Sequence, residues 1–175
     1  MSQSETRREF LYLAAGGMGV VGAGAAAWPL INSMNPAADT LAVSTIEVQI
    51  GTIQPGQAIT SMWRGQPVFI RRRTPEEIAK AREIDAKVDT LRDKQTDEQR
   101  TTRPEWIIVV GTCTHLGCIP QGQKSTEMRG EYGGWFCPCH GSVYDTSGRI
   151  MAGPAPRNLD VPPITFVTDT LIRIG

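Results

Sequence analysis

Two short stretches decide the reading of this chain: Cys113-Thr114-His115-Leu116-Gly117-Cys118 and Cys137-Pro138-Cys139-His140-Gly141-Ser142. Between them they hold all four cysteines and both histidines of the 175 residues. Scattered structural cysteines would not collect this way. Six soft or borderline ligands in two short loops point to a metal site.

A binuclear iron–sulfur group needs four protein ligands, and one known arrangement places two thiolates on one iron and two imidazoles on the other. Each loop here can supply one Cys and one His, which leaves two cysteines spare. In the second loop, Cys137 and His140 have a C-x-x-H spacing that lets both side chains converge on one point. Cys139 is adjacent to His140, so its side chain is directed elsewhere. In the first loop, His115 can partner Cys113 or Cys118, and spacing alone leaves both open. A Cys2His2 zinc knuckle would use the same ligand types, but it offers no role for two further cysteines. Two plain disulfides would leave both histidines unexplained.

The paired motif C-T-H-L-G-C and C-P-C-H-G-S resembles the Rieske iron–sulfur subunits of quinol–cytochrome c reductase, the cytochrome bc1 complex. The resemblance implies a [2Fe-2S] cluster held by Cys113, His115, Cys137 and His140. It implies a disulfide between Cys118 and Cys139 that ties the loops together. It also implies hydroxyl donors at Ser142, to a bridging sulfide, and at Tyr144, to a cysteine sulfur. His140 resembles the ligand that hydrogen-bonds quinol, so His140 and His115 are expected at the reacting edge, and Leu116 in an apolar tip that docks on cytochrome b. Gly153-Pro154-Ala155-Pro156 resembles the family's proline loop over the cluster. The fold expected is an all-β Rieske fold: antiparallel sheets with a small cluster-binding subdomain over residues 111–156, and one inserted helix within 74–104. Of related families, the Rieske ferredoxins and oxygenases normally lack the two extra cysteines.

The N-terminal 42 residues fit that picture. Residues 1–9 form a polar start carrying Arg7 and Arg8, and Thr6-Arg7-Arg8-Glu9-Phe10-Leu11 resembles a twin-arginine export signal. That route moves proteins after folding and cofactor uptake. No charged residue occurs from Phe10 to Ile31. At a helical rise the run is about 33 Å long, close to a bilayer core, so residues 10–32 are expected to form a transmembrane anchor in the lipid bilayer. Ala15, Gly19, Ala23 and Ala27 make a small-residue stripe suited to packing against other membrane helices. The two arginines place the N-terminus in the cytoplasm of a bacterial inner membrane and the remainder in the periplasm, where a disulfide can form. Ala25-Ala26-Ala27 could instead serve as a signal-peptidase site. Residues 33–42 lack a periodic apolar face and read as a linker, which in the family is the hinge of a swinging head over residues 43–175.

The net charge is zero, so nothing suggests nucleic acid. In the head, Ile46, Val48 and Ile50 alternate as in a strand. Arg64-Gly65-Gln66-Pro67 is expected to turn a hairpin into Val68-Phe69-Ile70, and Arg71 to Arg73 to be a solvated strand end. Thr74-Pro75-Glu76-Glu77 opens a helix with a capping box, whose stripe of Ile78, Ile84, Val88 and Leu91 runs to about Asp93; the rest to Arg103 reads as polar loop. Trp106 to Val110 is a continuous apolar strand that feeds the first cluster loop. Ile164 to Val167 and Thr170 to Ile174 are closing strands.

What the resemblance implies for function is a redox subunit of a quinol-oxidising complex, respiratory or photosynthetic. Such a subunit takes one electron and a proton from ubiquinol and carries the electron to cytochrome c1 by rotation of the hinged head, within a dimeric bc1 assembly. The alternatives are the Rieske subunit of another exported oxidase, of the arsenite oxidase type, and a zinc-stabilised module without redox chemistry.

Overall fold

The computed structural model describes residues 6–35 and 44–175. The chain divides into two units, Met1–Ala42 and Val43–Gly175. In the first, α1 (Arg7–Asn32) opens with Thr6 as N-cap. The Thr6 side chain accepts from the Glu9 N–H, and the Glu9 carboxylate accepts from the Thr6 N–H, which satisfies two of the free donors at the helix start. Its apolar side chains, among them Phe10, Leu13, Val20 and Trp28, are exposed. Among the described residues it is the one helix long and apolar enough to cross a membrane. Of the hinge expected over 33–42, residues 36–42 lie outside the described residues, as do residues 1–5.

Among the described residues of the second unit, nine strands form three antiparallel three-stranded sheets. The central sheet is β2 (Ala58–Trp63), β3 (Gln66–Arg72) and β4 (Trp106–Val110). One face presents Val68, Ile70, Trp106 and Ile108 to β9 (Leu171–Ile174), which pairs with β1 (Ile46–Gln49) and β8 (Ile164–Phe166). The other presents Phe69, Ile107 and Val109 to Trp135 of β5 (Gly133–Cys137), Tyr144 of β6 (Ser142–Asp145) and Ile150 of β7 (Ile150–Ala152). A strand covered on both faces needs no polar alternation. This is why Trp106 to Val110 is apolar throughout, with every residue buried.

The β2–β3 turn is tighter than expected. It consists of Arg64 and Gly65 alone, both at positive φ (50° and 75°), as a two-residue hairpin requires, and Gln66 and Pro67 are already in β3, opposite Trp63 and Met62. β5 runs very close to β6: a Cβ on Gly134 would stand 1.9 Å from the Asp145 carbonyl oxygen, so only glycine fits there.

The segment between β3 and β4 departs further from expectation. The capping box at Thr74 and Glu77 is formed, but α2 spans only Pro75–Asp85. A 3₁₀ turn (Val88–Thr90) follows, and then a second helix, α3 (Asp97–Arg100), with its own capping box of Thr96 and Gln99. The insertion therefore holds two α-helices rather than one. The stripe of Ile78, Ile84, Val88 and Leu91 is only half-buried, and Ala81 is the sole fully buried residue of α2. So short an apolar face cannot hold a longer helix by packing.

Buried arginines attach the insertion instead, and they correct the reading of Arg71 to Arg73 as solvated. Arg71 and Arg73 are 0% and 1% exposed. Arg71 pairs with Glu77. Arg73 grips both carboxylate oxygens of Asp97 (2.6 and 3.1 Å) and donates to Ser147 Oγ and Pro104 O. Arg149, also fully buried, pairs with Asp145 at 2.7 Å and with Asp85, and donates to Ala81 O. Arg72, on the opposite face, lays its guanidinium over the Trp106 ring. Hydrogen-bonded pairing of this kind is what permits charge inside a protein.

Candidate metal centre

β4 delivers the chain to the first cysteine loop, and β5 to the second. The two loops close alike. The Gly117 N–H donates to Cys113 O (2.9 Å) and the Gly141 N–H to Cys137 O (3.0 Å), with Gly117 and Gly141 at φ 81° and 77°. A side chain at that φ would be strained, so the two Cys-x-x-x-Gly spacings are backbone requirements. The first loop is fixed further by the Cys113 N–H on Cys118 O (2.7 Å), the second by the register pair Cys137 with Ser142.

These turns bring the sequence's six candidates together. Cys118 and Cys139 form a disulfide between the loops. Cys113 and Cys137 are free thiols, 2% and 1% exposed, at the edge of the core shared with Phe69 and Trp135. The rings of His115 and His140 meet edge to face, centroids 4.6 Å apart. His115 is half-buried and His140 exposed. The sulfur atoms of Cys118, Cys137 and Cys139 also lie within 4.8 Å of one another, but two of them are bonded to each other and offer no thiolate.

The donor set fits a binuclear iron–sulfur group: two thiols inside, two imidazoles outward. His115 Nδ1 is buried and has no hydrogen-bond partner among the described residues. Such a nitrogen costs about 1–3 kcal/mol if left unmet, and ligation to a metal satisfies it.

Hydroxyl groups line the thiol side. Tyr144, fully buried in β6, sets its Oη 3.2 Å from Cys113 Sγ. The Thr114 N–H donates to the same oxygen (3.4 Å), and the Thr114 hydroxyl proton is engaged on Arg157 O (2.6 Å). The Tyr144 proton then has two acceptors in reach, Cys113 Sγ at 3.2 Å and Thr114 Oγ1 at 3.4 Å, and a thiolate is the stronger of the two. Burial pushes the Tyr144 pKa up, and its bond to Cys113 adds to the rise, so it remains a donor. Burial opposes the Cys113 thiolate, but the hydrogen bond from Tyr144 and others from the surrounding loop outweigh it and lower its pKa. Cys137 is raised by burial and by its neighbour Cys113. Ser142 is 1% exposed, and its Oγ accepts the Ala155 N–H (3.2 Å), which puts Gly153-Pro154-Ala155-Pro156 against the site.

Sequence reasoning missed Thr114 and the Ala155 amide, because both act through backbone N–H groups that no side-chain motif marks. The residue that follows His115 is apolar and bare: Leu116 is 70% exposed.

The family described as "Rieske [2Fe-2S] domain" matches residues 52–163, and that described as "Ubiquitinol-cytochrome C reductase Fe-S subunit TAT signal" matches residues 1–37. The ubiquinol–cytochrome c reductase iron–sulfur subunit of Rhodospirillum rubrum is 55% identical over 170 residues, 97% of this chain and 92% of that one. Its counterpart in Rhodobacter capsulatus is 48% identical over 188 residues, 97% of this chain and 95% of that one. A chain solved in a hyperthermophilic respiratory complex III superposes with a TM-score of 0.53 at 27% identity, covering 91% of this chain and 98% of its own. These likenesses run almost end to end and leave no place for a zinc module. The chain belongs to the Rieske [2Fe-2S] iron–sulfur subunits of ubiquinol–cytochrome c reductase.

Proposed function

We propose that Cys113 and Cys137 hold one iron of the [2Fe-2S] cluster and His115 and His140 the other, and that the subunit oxidises ubiquinol at a site shared with cytochrome b and delivers the electron to cytochrome c1. The bound cluster supplies reversible one-electron chemistry. The observation that carries the reading is the split between buried thiols and an outward pair of imidazoles, at 4.6 Å between ring centroids.

Each side chain then has a role. Neutral imidazoles in place of two thiolates leave the centre less negative, which makes reduction easier. Tyr144 and Ser142 donate toward sulfur and favour the more negative reduced state. His140, exposed at the tip, presents its imidazole to a quinol hydroxyl and takes the proton that leaves with the electron. Leu116, bare beside His115, supplies the apolar tip that seats on cytochrome b. Arg7 and Arg8 keep the start of α1 on the cytoplasmic side of the inner membrane, and the head lies in the periplasm. The anchor packs in the bilayer of a dimeric complex, and the head travels between its two partners.

Detergent purification of the native protein tests this. The expected result is co-purification with b- and c-type haem, together with quinol-dependent reduction of the centre. A protein that purifies free of haem from its native membrane, as for a subunit of an unrelated exported oxidase, contradicts it.

A further inference from the structure

The insertion between β3 and β4 carries no part of the ligand set, yet it reaches the site from behind. Arg92 Nη1 donates to Gly153 O at 2.7 Å and also to Ala155 O. Ala155, fully buried, is thus held at both ends: its carbonyl by Arg92, and its N–H by Ser142 Oγ at 3.2 Å. The loop backbone lies directly on Ser142, since a Cβ at Gly153 would stand 2.5 Å from Ser142 Cα. Residues after Arg92 follow the same strip of chain. Asp93 Oδ2 accepts from the Asn158 N–H (2.9 Å), and the Asn158 amide donates to Asp93 O (3.2 Å) and Gln95 Oε1 (3.1 Å). Arg100 donates to Leu159 O.

A serine hydroxyl has one proton to give and two lone pairs to receive. While the Ala155 N–H occupies one lone pair, the Ser142 proton must point away from Ala155. We propose that Arg92 is a positioning residue for the cluster: by clamping the Gly153–Pro156 loop it keeps the Ala155 amide on Ser142 and so fixes the direction in which Ser142 donates. The inference rests on the reading of Ser142 as a donor toward sulfur given above. It assigns the insertion the task of tuning the centre from outside, through three consecutive hydrogen bonds. Both bonds leave Nη1, whose two N–H groups are held in the guanidinium plane, whereas a lysine ammonium rotates freely on its stem.

The test uses the full-length, cluster-loaded protein and the variants Arg92→Ala, Arg92→Lys, Ser142→Ala and, as a control elsewhere on the insertion, Arg82→Ala. Amide hydrogen exchange of the peptide spanning residues 153–158 reads the clamp without reference to the cluster. Arg92→Ala should exchange about tenfold faster there, as expected when a charged hydrogen bond is removed from a loop. Its midpoint potential should fall by up to about 59 mV, a tenfold change for one electron. Arg92→Lys should recover part of both, and Arg82→Ala should match wild type in both. An Arg92→Ala protein with wild-type exchange overturns the clamp. Faster exchange with an unshifted potential, when Ser142→Ala does shift it, overturns the link from clamp to cluster and leaves the role of Ser142 standing. An unshifted Ser142→Ala protein removes the donor reading itself, and this inference with it.

Discussion

Replacing Tyr144 by Phe removes one oxygen from a fully buried position and leaves the ring that packs on Ile107 and Trp135 in their shared core. That oxygen stands 3.2 Å from Cys113 Sγ, within hydrogen-bonding reach of a sulfur that is anionic when it binds iron. A hydrogen bond to a charged group is worth about 1.5–3 kcal/mol, and about 1.4 kcal/mol corresponds to about 59 mV for one electron. If the bond acted on the reduced state alone, its loss would lower the midpoint potential by about 60–130 mV. Whatever it contributes to the oxidised state reduces that figure. The sign follows from charge: reduction adds an electron, the sulfur becomes a better acceptor, and the donor favours the reduced form. Potentiometric titration followed by circular dichroism or EPR measures the shift. A Tyr144→Phe protein that binds its cluster and titrates at the wild-type potential refutes the reasoning.

Other expectations follow from the same contacts. Cys118→Ala with Cys139→Ala opens a loop of sequence separation 21, worth about 3 kcal/mol on the chain-entropy account, so thermal unfolding monitored by circular dichroism should begin at lower temperature and the cluster should be lost more readily. Leu116→Asp, at a residue 70% exposed, should leave the EPR signal and thermal stability intact while quinol–cytochrome c reductase activity in membranes falls sharply; normal turnover would remove the docking role of the tip. Asp97→Ala strands the buried Arg73 guanidinium and should cost about 3–5 kcal/mol in urea unfolding. Asp97 also gives a pH dependence. Burial opposes its charge, but the hydrogen bonds from Arg73 and Ser147 outweigh it and hold its pKa below the usual carboxylate value. A depressed folded-state pKa contributes stability that is fully present above the unfolded value, about 3.9, and is lost as pH falls through the folded one. Wild-type stability should therefore drop on acidification below about pH 4 with a steeper slope than that of Asp97→Asn.

The sequence displays the metal centre more fully than it displays the scaffold. Ligand chemistry is local: Cys113 to Cys118 and Cys137 to Ser142 are read within six residues each. The strands that carry them are also visible, since apolar runs and turn residues are short-range signals. The insertion is harder. Three arginines in a row at Arg71 to Arg73 look solvated when the carboxylates that admit them to the interior lie elsewhere in the sequence. Arg73 meets Asp97, 24 residues on, and Ser147, 74 residues on. The fully buried Arg149 meets Asp85, 64 residues back. Such pairings come from the topology that folds the insertion onto β5-β6-β7, and no local pattern encodes them. One feature could have been read: Thr96-Asp97-Glu98-Gln99 is a capping box as plain as that at Thr74, and it marks the start of α3. The contact of Arg92 with Gly153 and Ala155 spans about sixty residues and ends on backbone carbonyls, which have no sequence signature.

The central claim is that two thiolates and two imidazoles of this chain hold a binuclear iron centre with the imidazoles outward. Electron spin-echo spectroscopy of the dithionite-reduced, full-length protein, with iron and acid-labile sulfide assayed on the same sample, tests it most directly. The account predicts two irons and two sulfides per chain, strong coupling to two histidine nitrogens, and loss of one coupling or of the whole cluster in His140→Cys. A centre without nitrogen coupling, or one whose signal is unchanged when His140 is replaced, contradicts it.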